Sequence, residues 1–173
     1  WITGSDSNVI GGPGPFDGNL ISGNRFRGIQ IEGPFATGNQ VLGNRIGTDR
    51  NGTSRISNGY GGIELDNTAS NRVGGTAPGW RNLISGNGFA GIADAGDGIG
   101  IAGPLATGNV VEGNYIGTDA SGAADLGNSG TGVVISEFTT RPGPAASGNR
   151  IGGTEPGAGN VISGNDEVGI AIV

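Results

Sequence analysis

Lysine, histidine, cysteine and methionine are all missing from this 173-residue chain, and its nine basic residues are all Arg. Without His or Cys there is no Ser-His-Asp or Cys-His nucleophile and no ordinary structural zinc site. The lack of Lys removes Schiff-base chemistry and the phosphate-binding P-loop. Zero Cys also means that no disulfide can staple the fold, so stability must come from packing and hydrogen bonding. No run of about 18 apolar residues is present to span a bilayer, so membrane insertion is not expected. The formal charge of −6 disfavours nucleic acid and anionic membranes as partners. The chain begins at Trp1 with no signal peptide, which suggests a mature form or an excised segment.

What is abundant is glycine, with 40 Gly beside 8 Pro. Such a content without a period signals disorder, and Gly at every third residue signals collagen. Here the glycines recur inside longer phrases instead. Gly28-Ile-Gln-Ile-Glu-Gly-Pro-Phe-Ala-Thr-Gly-Asn39 returns as Gly98-Ile-Gly-Ile-Ala-Gly-Pro-Leu-Ala-Thr-Gly-Asn109. Asn19-Leu-Ile-Ser-Gly-Asn24 returns at Asn82–Asn87 and, with Val161 in place of Leu, at Asn160–Asn165. Repeats of this length are the mark of a solenoid.

Alignment of the pieces gives a unit with three short apolar segments. The first, Asn-x-Ile/Val, starts at Asn8, Asn39, Asn71, Asn109 and Asn149; the second, Asn-x-Ile, at Asn19, Asn44, Asn82, Asn114 and Asn160. The third, Gly-Ile-x-Ile or a close variant, starts at Gly28, Gly62, Gly98, Gly132 and Gly169. Coils then run 8–38, 39–70, 71–108, 109–148 and 149–173. Two designs alternate. In one, a Pro/Gly loop separates the first two segments (11–18, 74–81, 152–159); in the other those segments abut and a long loop follows the second.

Residues two apart on a strand share a face, so each segment sends one or two apolar side chains inward. Four columns result: Ile10, Val41, Val73, Val111, Ile151; Ile21, Ile46, Ile84, Ile116, Ile162; Ile29, Ile63, Ile99, Val133, Ile170; and Ile31, Leu65, Ile101, Ile135, Ile172. All but Leu65 are β-branched, the class favoured on pleated surfaces, and the segments are too short and Gly-punctuated for helices. The expected fold is all-β: a right-handed parallel β-helix, or β-solenoid, of about five coils with three short strands per coil. It would occupy 1–173 as one domain, either a segment of a longer repeat array or a stacking subunit. The Asn columns fall at strand entries, where stacked amides can bond from coil to coil. One register is ambiguous, because Gly91 follows Asn82 at the spacing of Gly28 from Asn19. The longer match through Asn109 favours Gly98 as the strand start, leaving 91–97 as an inserted loop.

The phrases Asn149-Arg-Ile-Gly-Gly-Thr154, Gly43-Asn-Arg-Ile-Gly-Thr-Asp49, Gly113-Asn-Tyr-Ile-Gly-Thr-Asp119 and Asn-Leu-Ile-Ser-Gly-Asn carry a resemblance across nearly the whole chain. It is similar to the right-handed parallel β-helix repeats of bacterial secreted and surface proteins, on the pectate-lyase-like superfold. That resemblance implies an extracellular setting, shared among adhesin stalks and carbohydrate-active enzymes. The catalytic Lys or His usual in the enzymatic members has no counterpart here.

Three sets of candidate residues remain. Stacking the third segment sets Gln30 over Glu64 and Glu32 over Asp66, facing outward. Paired carboxylates such as Glu32, Glu64 and Asp66 could serve as acid and base in glycoside hydrolysis, although a solvated acidic face is the ordinary outcome at this charge. Asp49, Asp94, Asp97, Asp119, Asp125 and Asp166 map to loops between the second and third segments, where oxygen ligands suit Ca²⁺. No EF-hand or calcium β-roll repeat accompanies them, and Asp in a turn more often bonds its own backbone. Phe16 and Trp80, in equivalent loops, together with Tyr60 and Tyr115, could stack on sugar rings or simply cover core edges. The expected role is a non-catalytic structural or adhesive module, with a carbohydrate-active enzyme or glycan-binding module as the alternative. Expected partners are flanking coils or identical subunits end to end, as in a filament, and polysaccharide.

Overall fold

The computed structural model describes residues 1–89, 96–137 and 145–173. It is a parallel β-solenoid of three sheets with essentially no helix, a single 3-10 turn at Pro78–Trp80 excepted among the described residues. The first segments form one five-stranded sheet (Val9–Gly11, Gln40–Leu42, Arg72–Gly74, Val110–Glu112, Arg150–Ile151). The second segments form another (Leu20–Ile21, Arg45–Ile46, Leu83–Ile84, Tyr115–Ile116, Val161–Ile162). The third sheet carries the longest strands: Arg27–Glu32, Gly61–Asp66, Asp97–Ala102, Val133–Ser136 and Ile170–Ile172, preceded by Ile2–Thr3. About four turns separate the first and last strands of each five-stranded sheet.

Every step of the four apolar columns is in register. Ile10 pairs with Val41, Val41 with Val73, Val73 with Val111 and Val111 with Ile151. The same holds from Ile21 to Ile162, from Ile29 to Ile170 and from Ile31 to Ile172. The strand Asp97–Ala102, with Ile99 beside Ile63, settles the register in favour of Gly98. Its one correction concerns Asp97, which pairs with Gly61 as the first residue of the strand and does not belong to the preceding loop. A fifth, smaller column fills the corner between the third and first segments, where Ala36, Thr68, Ala106 and Ala146 are buried. Between them these columns make one hydrophobic core that runs continuously along the axis.

The two expected Asn columns are hydrogen-bonded ladders. Asn39 Nδ2 donates to Asn71 Oδ1 at 3.0 Å and Asn71 Nδ2 to Asn109 Oδ1 at 3.1 Å, with matching bonds from Asn8 and on to Asn149. Asn19, Asn44, Asn82, Asn114 and Asn160 form the second in the same way. A third ladder, unforeseen, runs Asn24, Asn58, Asn87, Asn128, Asn165 at the entry to the third segment. Each corner of the coil therefore has its own amide column. Most rungs also donate from Nδ2 to a main-chain carbonyl, as Asn82 does to Val41 and Asn128 to Ile84. Among the described residues no buried side-chain nitrogen or oxygen lacks a partner, the condition under which a buried polar column stabilises instead of costing free energy.

Glycine makes the corner after the second segment possible. Gly47 and Gly117 have φ of +91° and +87°. A Cβ on either would fall 2.3 Å from a main-chain oxygen of the next coil, that of Ser85 or Ser163.

Candidate functional site

The outer face of the long-strand sheet carries the expected acidic pairs: Gln30 lies beside Glu64 and Glu32 beside Asp66. Their surroundings separate them. Glu32 accepts from Gln30 Nε2 at 3.0 Å and from Trp1 Nε1 at 3.2 Å. Asp66 Oδ1 accepts from Asn67 Nδ2 at 2.8 Å. Glu64 instead enters a groove of about 310 Å³ lined by Arg27, Asp97, Thr131, Glu137 and Glu167 among others. Arg27 Nε approaches Glu64 Oε2 to 3.2 Å, and the Glu64 side chain is only 15% exposed. Burial pushes the Glu64 carboxyl above its ordinary range, and Arg27 opposes that shift.

The groove exists because of glycine. Gly100 follows Glu64 in the outward column, and a Cβ there would meet Glu64 Oε2 at 2.4 Å. Gly61 likewise separates Arg27 from Asp97 in the neighbouring column. Asp97 Oδ1 accepts from the Thr131 amide at 2.8 Å, and Thr131 Oγ1 lies 3.4 Å from Glu167 Oε2. Arg27, Glu137 and Glu167 were not anticipated. Arg27 could have been, since it precedes Gly28 by one residue and must open the same strand. Chemically, Glu64 is a carboxyl that holds its proton more readily than usual, in a groove it shares with Arg27 and Asp97.

The loop aspartates have a different use. Asp49 and Asp119 occupy equivalent loops, each closed by an antiparallel bridge, Thr48 to Arg55 and Thr118 to Asp125. Asp49 Oδ1 accepts the Thr53 and Ser54 amides at 2.8 and 3.0 Å, and these bonds hold its carboxyl below the ordinary range. Asp119 Oδ1 accepts from Ser121 Oγ at 2.6 Å and from the Ala123 and Ala124 amides, with the same effect. Asp125 bonds the Gly127 amide at 2.9 Å. The Asp166 amide donates to the Asn128 carbonyl, and Asp94 lies outside the described residues. Among the described residues no three carboxylates converge as a cation site.

The four aromatic candidates occupy three separate regions. Phe16 is 96% exposed on its loop, while the half-buried Trp80 covers Gly75 in the equivalent loop. Tyr60 stacks on Phe26 with ring centroids 5.6 Å apart, at the corner of the third ladder. Tyr115 sits on the outer face of the second-segment sheet beneath Arg81, whose guanidinium carbon is 4.1 Å from the ring centre. Two further polar centres escaped the sequence. Glu112, buried on the first sheet, is clamped by Arg72 and by Arg150 at 3.0 Å. Arg55 reaches the next coil, bonding the carbonyls of Gly86, Asn87 and Gly88. Both join residues 31 to 40 positions apart, and only the coil register reveals them.

No family model, characterised protein or solved structure matches this chain. Among the described residues no helix is long and apolar enough to cross a membrane.

Proposed function

We propose that the chain is a non-catalytic structural and adhesive module of an extracellular protein, a stiff rod whose corner loops present the binding surface. The observation that carries this reading is the unbroken course of three amide ladders and four apolar columns through every coil. That investment lies wholly along the axis, and the chemical variety lies in the loops. The sequence resemblance to secreted and surface β-helix repeats supports the same setting. Flanking coils or further copies end to end would extend the rod, and polysaccharide is the partner class the loops would meet. The test is a glycan array followed by incubation of bound oligosaccharides with the chain. Retention without cleavage fits the module, and release of shorter fragments would sink it.

A second reading is favoured by one observation, the raised carboxyl of Glu64 in its groove with Asp97. Two carboxyl groups facing one groove are the pairing used for glycoside cleavage. On that reading Glu64→Gln abolishes hydrolysis of a glycan the chain binds. Unchanged turnover in that variant would remove it. Calcium binding by the loop aspartates remains a subsidiary proposal, tested by whether Ca²⁺ raises the melting temperature.

A further inference from the structure

The alternation of the two loop designs builds a second cavity, on the outer face of the second-segment sheet. Loop 74–81 stands on one side and loop 118–125 on the other. Between them lies a pocket of about 150 Å³ lined by Arg45, Arg81, Tyr115, Pro78, Leu83 and Ala120, among others. Among the described residues no carboxylate lines it, although the whole chain carries 15 Asp and Glu against nine Arg. Among the described residues neither Arg45 nor Arg81 makes an ion pair, whereas Arg27, Arg72 and Arg150 do. Arg81 is nonetheless fixed in place: its Nε donates to the Gly113 carbonyl at 3.1 Å and its guanidinium carbon lies over the Tyr115 ring. Its two terminal amino groups make no hydrogen bond among the described residues.

The fold does not require these side chains. In the equivalent loops the position of Arg81 is taken by Gly18 and Gly159, each directly before a ladder Asn. Tyr115 stands in a column with Leu83 and Val161. The cationic pocket is thus particular to one pair of coils. We infer that it binds a carboxylate-bearing sugar unit. The guanidinium fork matches a carboxylate in two parallel hydrogen bonds. Pro78 and Leu83 offer apolar wall for the C–H face of a ring, and the volume equals that of roughly five waters. This goes beyond the rod reading and locates one adhesive point on it.

The test is an amide NMR titration of the whole chain at low salt with glucuronate, and with glucose as its uncharged counterpart. Glucuronate should give saturable shifts at Gly113, Tyr115 and Ala120, and glucose should not. The double variant R45Q/R81Q should weaken binding at least about tenfold, since charge-assisted bonds are lost, with an unchanged circular dichroism spectrum. A short glucuronate oligomer binding more tightly than the monomer identifies a polymer as the source; equal affinity identifies the free sugar acid. Equal shifts with glucose, undiminished binding by the double variant, or no saturation by about 50 mM overturns the inference. The rod reading survives any of those results, because it does not depend on this pocket.

Discussion

The fully buried side chain of Asn87 accepts one bond and spreads its Nδ2 donors over three acceptors. Its Oδ1 takes the bond from Asn58, and its Nδ2 reaches Asn128 Oδ1 and the carbonyls of Ile46 and Ser85. Its own amide also donates to Asn128 Oδ1. Asn87→Ala strands several of these partners in a place water cannot reach, so roughly 2–4 kcal/mol of stability should be lost in chemical denaturation. Asn87→Asp keeps the shape but buries a charge, and should cost more at neutral pH than in acid. Glu64 makes the opposite kind of statement. Its folded carboxyl binds a proton more tightly than the unfolded one. The stability it contributes is therefore present below its ordinary value near 4.5 and lost as pH rises through the folded value. Glu64→Gln should flatten that slope in melting temperatures measured from pH 4 upward, and an unchanged slope would show that another group causes it. At Glu112 two half-exposed arginines share one buried carboxylate. Glu112→Gln should cost about 2 kcal/mol, below the figure for a fully buried pair because water screens both guanidinium groups.

At the scale of the strand and corner, the apolar columns were legible because a two-residue period with β-branched residues admits one inward face. Ile29 and Ile31 could only point together. The third amide ladder was hidden because Asn24, Asn58, Asn87, Asn128 and Asn165 are not followed by Ile at the second position; Phe26, Tyr60, Phe89, Gly130 and Glu167 stand there. A signal existed nonetheless. In every coil except the one with the inserted loop, that Asn precedes the third-segment Gly by four residues, as Asn58 precedes Gly62. The groove and the cationic pocket were illegible for a different reason. Glu64 meets Arg27 across 37 positions, and Arg81 meets Tyr115 across 34, through loop lengths that no local pattern specifies. Corners also carry a prediction. Gly117→Ala must place a methyl group against the Ser163 carbonyl at positive φ. It should destabilise by more than the roughly 1 kcal/mol of an ordinary conformational penalty, and more than Gly159→Ala, where the space is open. Thermal melts of the two variants decide this.

Across the whole molecule, the strand pairings and core contacts join residues about one coil apart in sequence, as Ile31 to Leu65 and Leu65 to Ile101. Closing such loops precedes any gain from pairing, so refolding should be slow, in the range of milliseconds to seconds or longer, in stopped-flow fluorescence of the two tryptophans. Once formed, each coil rests on its neighbours, and unfolding should begin at an end and proceed along the stack.

The ladders also give the rod a direction. Every side-chain rung donates toward the higher residue number: Asn8 to Asn39, Asn44 to Asn82, Asn87 to Asn128. All three columns run the same way, as three parallel lines of amide dipoles. One face of the stack therefore offers amide oxygens, at Asn8, Asn19 and Asn24, and the other offers amide N–H groups, at Asn149, Asn160 and Asn165. Two copies meeting through the same face would oppose acceptor to acceptor or donor to donor. In any stack of copies joined through these columns, donor would meet acceptor only head to tail, a heterologous contact that does not close on itself.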